Sequence, residues 1–115
     1  MIFKSFIVIF VLLFSTEVFS KQICTASYYG KGDGFHGKKT SSGQRFNAYG
    51  LSMAHRTIKN GTKVKVTNLH NGKSVIVLKN DSGPYVRGRC ADLSYGAKLA
   101  LNMGGLAKVQ LEVLK

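Results

Sequence analysis

Five carboxylates serve a chain of 115 residues, and that scarcity narrows the chemistry before any element is placed. Four of them, Asp33, Asp81, Asp92 and Glu112, lie beyond residue 20. Any chemistry that needs a carboxylate has very few candidates here, and the three histidines are His36, His55 and His70. Asp81 stands in Asn80-Asp81-Ser82-Gly83-Pro84, where an apolar run turns. A carboxylate at a strand end beside a glycine can face a groove, and the same residues can also build a turn in which Asp bonds its own backbone. Asp92 precedes Leu93-Ser94 and a helical stretch, so it is a second groove candidate and equally a helix N-cap. His55, in Ala54-His55-Arg56, can orient a carboxylate or bond a hydroxyl as a neutral imidazole, or can simply be packed. His36 and His70 fall in a glycine-rich loop and a turn, and neither is given a catalytic role.

Cys24 and Cys90 are the two cysteines, and neither has a second Cys or His at chelating spacing. No metal or cofactor is expected. In an oxidising compartment the pair reads as one disulfide, worth about 4 kcal/mol on the chain-entropy model. The compartment is inferred from the N-terminus. Lys4 precedes an unbroken apolar run at residues 6–14 (FIVIFVLLF), too short to cross a bilayer and suited to the core of a secretory signal. Ser20, with Val18 two before it, offers a cleavage site, which predicts a signal peptide at 1–20 and one domain at 21–115. No transmembrane span is expected after cleavage. Gln22-Ile23 before Cys24 argues against lipid modification. The expected location is the periplasm or cell envelope, without a lipid anchor, and the expected state is a monomer.

The formal charge is +12 at pH 7. Such a balance suggests an anionic partner, or a cationic surface that only keeps the protein soluble. Nucleic acid is not expected outside the cell, whereas wall polymers fit the compartment.

The elements that must hold these groups are short. Residues 25–29 (TASYY) suit a strand, and five glycines in residues 30–43 suggest a mobile loop or a groove wall. Residues 51–54 (LSMA) can form a second strand. Residues 62–69 (TKVKVTNL) alternate, with Val64, Val66 and Leu69 as candidates for one face. Asn71-Gly72 then turns the chain into residues 74–78 (SVIVL), a hairpin signature. A short helix over residues 95–101 is stopped by Gly104-Gly105, and residues 107–114 (AKVQLEVL) alternate as a last strand. About six strands and one helix fit a small closed β-barrel with a helical crossover.

The strings ASYYG, FHGKKTSSGQRFN, AHRTIKNGTKVKVTNLHNGKSVIVLKNDSGP and VRGRCADLSYGAKLAL together resemble the RlpA (rare lipoprotein A) family. The resemblance implies a mainly β fold, a six-stranded double-psi β-barrel with one short helix. It implies endolytic lytic transglycosylase activity on peptidoglycan glycan strands, with a preference for strands without stem peptides. It assigns catalytic roles to Asp81, as acid and base, and to His55, as a groove histidine that orients the carboxylate, and it makes Gln44 and Asp92 substrate-binding residues. Tyr28, by ring stacking on sugars, and Arg56, by contact with muramyl carboxyl or N-acetyl groups, are further substrate-binding candidates. The sequence departs from the family at Gln44, where the family carries Glu. An amide bonds sugars but does not titrate, so the alternative function is a non-catalytic peptidoglycan-binding or expansin-like wall-loosening module.

Overall fold

The computed structural model describes residues 18–115, so Lys4 and the apolar run at 6–14 lie outside the described residues. Six strands are arranged in chain order as β1 (Val18–Tyr29), β2 (Ser52–His55), β3 (Lys63–Asn68), β4 (Ser74–Asp81), β5 (Arg89–Ser94) and β6 (Ala107–Leu114). Among the described residues one short helix, α1 (Tyr95–Ala100), follows β5. The expected cleavage point after Ser20 falls inside β1.

The strands close into a barrel in the order β1-β5-β2-β4-β3-β6. Two neighbouring pairs, β1–β5 and β2–β4, run parallel and the remaining four antiparallel. Each parallel pair carries a register shift, between Thr25 and Ala26 in one and between Met53 and Ala54 in the other. Inward positions are apolar: Met53, Val64, Val66, Val77, Leu93, Val109 and Leu111 are all fully buried. Each such side chain contributes about 1.5–3 kcal/mol, enough for a small core when it is stapled. The staple is a Cys24–Cys90 disulfide that joins β1 to β5, with Cα atoms 5.9 Å apart.

β6 forms over the residues expected. β3 differs at its end, where Asn68 takes the inward position and Leu69 is exposed. The reason is polar. Asn68 donates to the Leu101 carbonyl at 3.0 Å, and Asn71 donates to the same oxygen at 3.0 Å. Both asparagines thereby satisfy a carbonyl that the end of α1 leaves without an intrahelical partner. The β3–β4 connection consequently spans residues 69–73 instead of turning on Asn71-Gly72 alone. The helix ends earlier than Gly104, with Asn102 in the left-handed region at φ 47°.

β5 is the main departure. Residues 89–94 contain no β-branched side chain, and Asp92-Leu93-Ser94 reads locally as a helix cap. Pairing with β1 on one side and β2 on the other overrides that local preference. Ser94 alone caps α1, accepting from the Ala97 amide at 3.2 Å while donating to the Gly50 carbonyl at 2.7 Å. Asp92 is thereby left free of the cap.

Candidate functional site

Register decides which side chains meet. Ala54 of β2 pairs with Asp81 of β4 on one side and Asp92 of β5 on the other. Paired residues share a face, so the two carboxylates flank one alanine, with backbones about 10 Å apart. The other two acids beyond residue 20 are committed elsewhere. Asp33 accepts from the Gly30 and Phe35 amides, and Glu112 accepts from Gln110.

Asp81 is the last residue of β4 and is half-buried. Its Oδ1 accepts from the Ser41 amide at 3.1 Å and from the Ser82 amide at 2.9 Å. Its Oδ2 accepts from the Tyr29 hydroxyl at 3.0 Å. The bond to Ser82 is the turn contact expected of an Asp in this motif, so the turn and groove readings both hold. A carboxylate oxygen has about two acceptor sites. Oδ1 is therefore filled by backbone donors, while Oδ2 keeps one site open.

Tyr29 is fixed from three sides. Its ring stacks on Phe46 at 4.3 Å with an interplanar angle of 7°, and Phe35 meets it edge-on at 5.9 Å. Gly30 permits this packing, since a Cβ there would lie 2.8 Å from both Phe46 and Ala48. Burial, followed by the charge and hydrogen bond of Asp81, pushes the Tyr29 phenol well above its ordinary value. It stays a donor to Asp81 throughout the physiological range.

Asp92 accepts from Ser27 at 3.1 Å. Burial raises its carboxyl above the usual carboxylate range; the Ser27 bond and the Arg89 charge oppose this, while Asp33 and Asp81 add to it. Lys79, buried next to the site, donates to Asn60 at 2.7 Å. Burial lowers its ammonium and the charge of Asp81 raises it.

The loop at residues 30–43 forms a wall against the end of β4. Ser82 donates to Ser41 at 3.0 Å, and the Ser42 amide donates to the Asn80 carbonyl at 3.3 Å. On this wall Gln44 lines an open pocket of about 250 Å³ with Ser42, Asn60, Gly61, Leu78 and Asn80. Its side-chain amide has no partner among the described residues.

Three expected site residues make no hydrogen bond to Asp81. His55 is one position beyond Ala54 and pairs with the fully buried Ala91, so it faces the opposite side of the sheet from Asp81. Its Nδ1 accepts from the Thr57 and Ile58 amides, both at 3.1 Å, which makes Nε2 the protonated nitrogen facing Gln22 Oε1 at 3.1 Å. Both nitrogens thus hold the turn after β2, and none reaches the carboxylate. Burial, with Arg56 and Lys79, lowers its ring below the ordinary histidine value. Tyr28 alternates away from Tyr29 and packs near Tyr95 at 6.0 Å with Lys98 over its ring. Arg56 clips the next loop, its Nη1 donating to the Pro84 carbonyl at 2.7 Å and the Arg89 carbonyl at 2.8 Å. Tyr29 is the side chain bonded to Asp81 that site assignment from sequence did not include. Strand alternation puts it on the Ser27 face, but its partner lies 52 residues away.

Among the described residues no cluster of three or more His, Cys, Asp or Glu could hold a metal. No helix among them is long and apolar enough to cross a membrane.

A closed six-stranded barrel with two parallel pairs, one of them ending at an aspartate, is a double-psi β-barrel. A family model described as lytic transglycolase matches residues 21–111, and the chain belongs to that family. Among curated relatives, a probable endolytic peptidoglycan transglycosylase RlpA from Nostoc sp. is 53% identical over 91 residues, covering 77% of this chain and 24% of that protein. The endolytic peptidoglycan transglycosylase RlpA of Campylobacter jejuni is 50% identical over 91 residues, covering 77% and 32%. The chain thus spans a quarter to a third of the length of these relatives. Among solved structures, the Streptomyces papain inhibitor superposes with a TM-score of 0.65 at 18% identity, covering 85% of this chain and 97% of that one. A Clavibacter michiganensis expansin superposes at 0.64 with 21% identity, covering 84% and 51%. At these identities the last two speak for the fold alone.

Proposed function

We propose that the protein is an endolytic peptidoglycan lytic transglycosylase, with Asp81 as its acid and base. The observation that carries this reading is the half-buried Asp81 carboxylate, whose Oδ1 is filled and whose Oδ2 keeps one open site beside a fixed phenol. Breakage of the MurNAc–GlcNAc bond needs a proton on the leaving oxygen. Asp81 Oδ2 supplies it. The same oxygen, now in a carboxylate, takes the proton of the muramyl C6 hydroxyl as that oxygen bonds the anomeric carbon and closes a 1,6-anhydro ring. Atoms balance without water, and one carboxyl performs both transfers, unlike the paired carboxylates of a hydrolase. Tyr29 orients that oxygen. Asp92 contributes its field across Ala54.

The reading extends to an exported protein with a signal peptide at 1–20, acting as a monomer in the periplasm or cell envelope, on strands without stem peptides. The names of the curated relatives support peptidoglycan as the substrate, and the +12 charge suits an anionic wall polymer. The test is digestion of purified peptidoglycan, with and without stem peptides, followed by mass spectrometry for 1,6-anhydro-muramyl products. Their absence from both substrates, with binding intact, overturns the reading.

A second reading is favoured by Gln44, an amide that lines a pocket with Ser42 and Asn80. A non-catalytic glycan-binding module would pull down with peptidoglycan and release no product. If Gln44→Glu alone switched cleavage on, the natural chain would be the binding module.

A further inference from the structure

Beyond Asp81 the chain leaves the barrel through Ser82-Gly83-Pro84 and opens a second cleft of about 440 Å³, lined by Arg56, Tyr85, Val86, Arg87 and Gly88. Its position follows from the strand ends: β2 and β4 are parallel and their last paired residues are Ala54 and Asp81, so the segments that follow leave the barrel on the same side. The bond from Arg56 Nη1 to the Pro84 carbonyl closes that arrangement. The cleft therefore lies at the end of β4 that carries Asp81.

Its chemistry is one-sided. It holds two guanidinium groups and no acid. Arg56 commits only Nη1, leaving Nε and Nη2 without partners among the described residues, and Arg87 has no partner among them at all. Tyr85, 79% exposed, adds an aromatic face to the same cleft. Uncommitted arginine forks match a planar carboxylate in bidentate geometry, and a tyrosine face suits a sugar ring.

We infer that this cleft is the subsite for the lactyl carboxylate of a muramyl residue that lacks a stem peptide. The inference rests on the proposed reading of the Asp81 site as one that handles muramyl glycan. When a stem peptide is attached, that carboxyl is an amide and carries no charge. The arginine pair thus supplies a physical basis for reading bare strands, by attraction to a charge that only they present at this ether.

The test measures equilibrium binding to the full chain carrying Asp81→Asn, so that no turnover intervenes. Four ligands of equal length are compared: a bare muramyl oligosaccharide, the same with its carboxyls converted to methylamides, one bearing stem peptides, and a chitin oligosaccharide without lactyl groups. The bare strand is expected to bind about tenfold more tightly than the methylamide and the chitin oligomer, a charge-assisted hydrogen-bond effect. Arg87→Gln is expected to remove that tenfold preference and to leave methylamide binding unchanged. Arg87→Lys, which keeps the charge without the fork, is expected to restore part of it. Equal binding of bare and methylamide strands overturns the subsite, as does an Arg87→Gln loss shared by both, or no binding to any ligand. Tight, Arg87-dependent binding of the peptide-bearing strand would move the recognised carboxylate to the peptide and overturn the lactyl assignment. Failure of the unsubstituted chain to form anhydro products, with the carboxylate preference intact, would sink the catalytic reading and leave the subsite standing.

Discussion

The two parallel strand pairs share the same local irregularity and end in different chemistry. In β1–β5 the register shifts between Thr25 and Ala26, and a disulfide closes the pair beside the shift. In β2–β4 it shifts between Met53 and Ala54, and no covalent tie follows. Each pair presents one carboxylate. Asp92 lies inside its strand, with Ser27 as its one hydrogen-bond donor. Asp81 is the last residue of its strand and takes three donors from three segments: β1, the glycine loop and its own turn. Shifts of this kind re-aim side chains near sites, so the distance from the strand end decides the outcome. The acid at the end meets loops, and the acid inside meets the sheet.

The sharpest way to break this contrast is to remove each charge in turn. Asp81→Asn is expected to lower the rate of anhydro-product formation about a thousandfold, within the range of general acid–base catalysis. Asp92→Asn is expected to lower it less than tenfold, because its carboxyl reaches the reaction only as a field. A mass-spectrometric product rate that falls in the opposite order exchanges the two roles. The covalent asymmetry comes next. Replacing Cys24 and Cys90 together by Ala is expected to cost about 4 kcal/mol, from a 66-residue separation on the chain-entropy model. Urea denaturation measures it. A loss below about 1 kcal/mol would mean that the β1–β5 half needs no staple.

The elements that could be read from sequence were those whose pattern matched their burial. Residues 107–114 alternate because β6 packs one face on the core, with Val109 and Leu111 inward. β5 was hidden because its form comes from two neighbours distant in sequence and from no β-branched residue of its own. Asn68 interrupted an apolar alternation because a helix carbonyl 33 residues away needed a donor. Within the site, Asp81 was legible from its turn and from the family motif around it. Tyr29 was not, since loop packing between Phe35 and Phe46 creates its position. His55 looked catalytic by motif, yet its ring is held by the amides two and three residues on.

Tyr29→Phe isolates what the richer donor set contributes at Asp81. The phenyl ring keeps the stack on Phe46 and removes only the donor to Oδ2. A hydrogen bond to a charged group is worth about 1.5–3 kcal/mol, so kcat is expected to fall about tenfold or more with KM nearly unchanged. A rise in KM with constant kcat would make Tyr29 a glycan contact, and its place in the carboxylate's orientation would be lost.

The smallest effect concerns the stability that Asp92 withholds. Burial, then its neighbours Asp33 and Asp81, raise its carboxyl above 3.8, against Ser27 and Arg89. A carboxyl raised in the folded state holds its proton more tightly there than in the unfolded chain. Its ionised form therefore costs stability above the folded value, and that cost disappears as pH falls below about 3.8. Asp92→Asn removes the charge and keeps an acceptor for Ser27. After discounting for solvent screening, it is expected to stabilise the protein by about 0.5 kcal/mol at pH 7, or 2–4 °C in Tm, and by nothing at pH 3. Thermal unfolding at the two pH values checks this. A variant less stable at pH 7 would mean that Ser27 and Arg89 outweigh burial. Both carboxylates would then be held by favourable partners, and the distinction between the acid at a strand end and the acid inside a strand would have to rest on access alone.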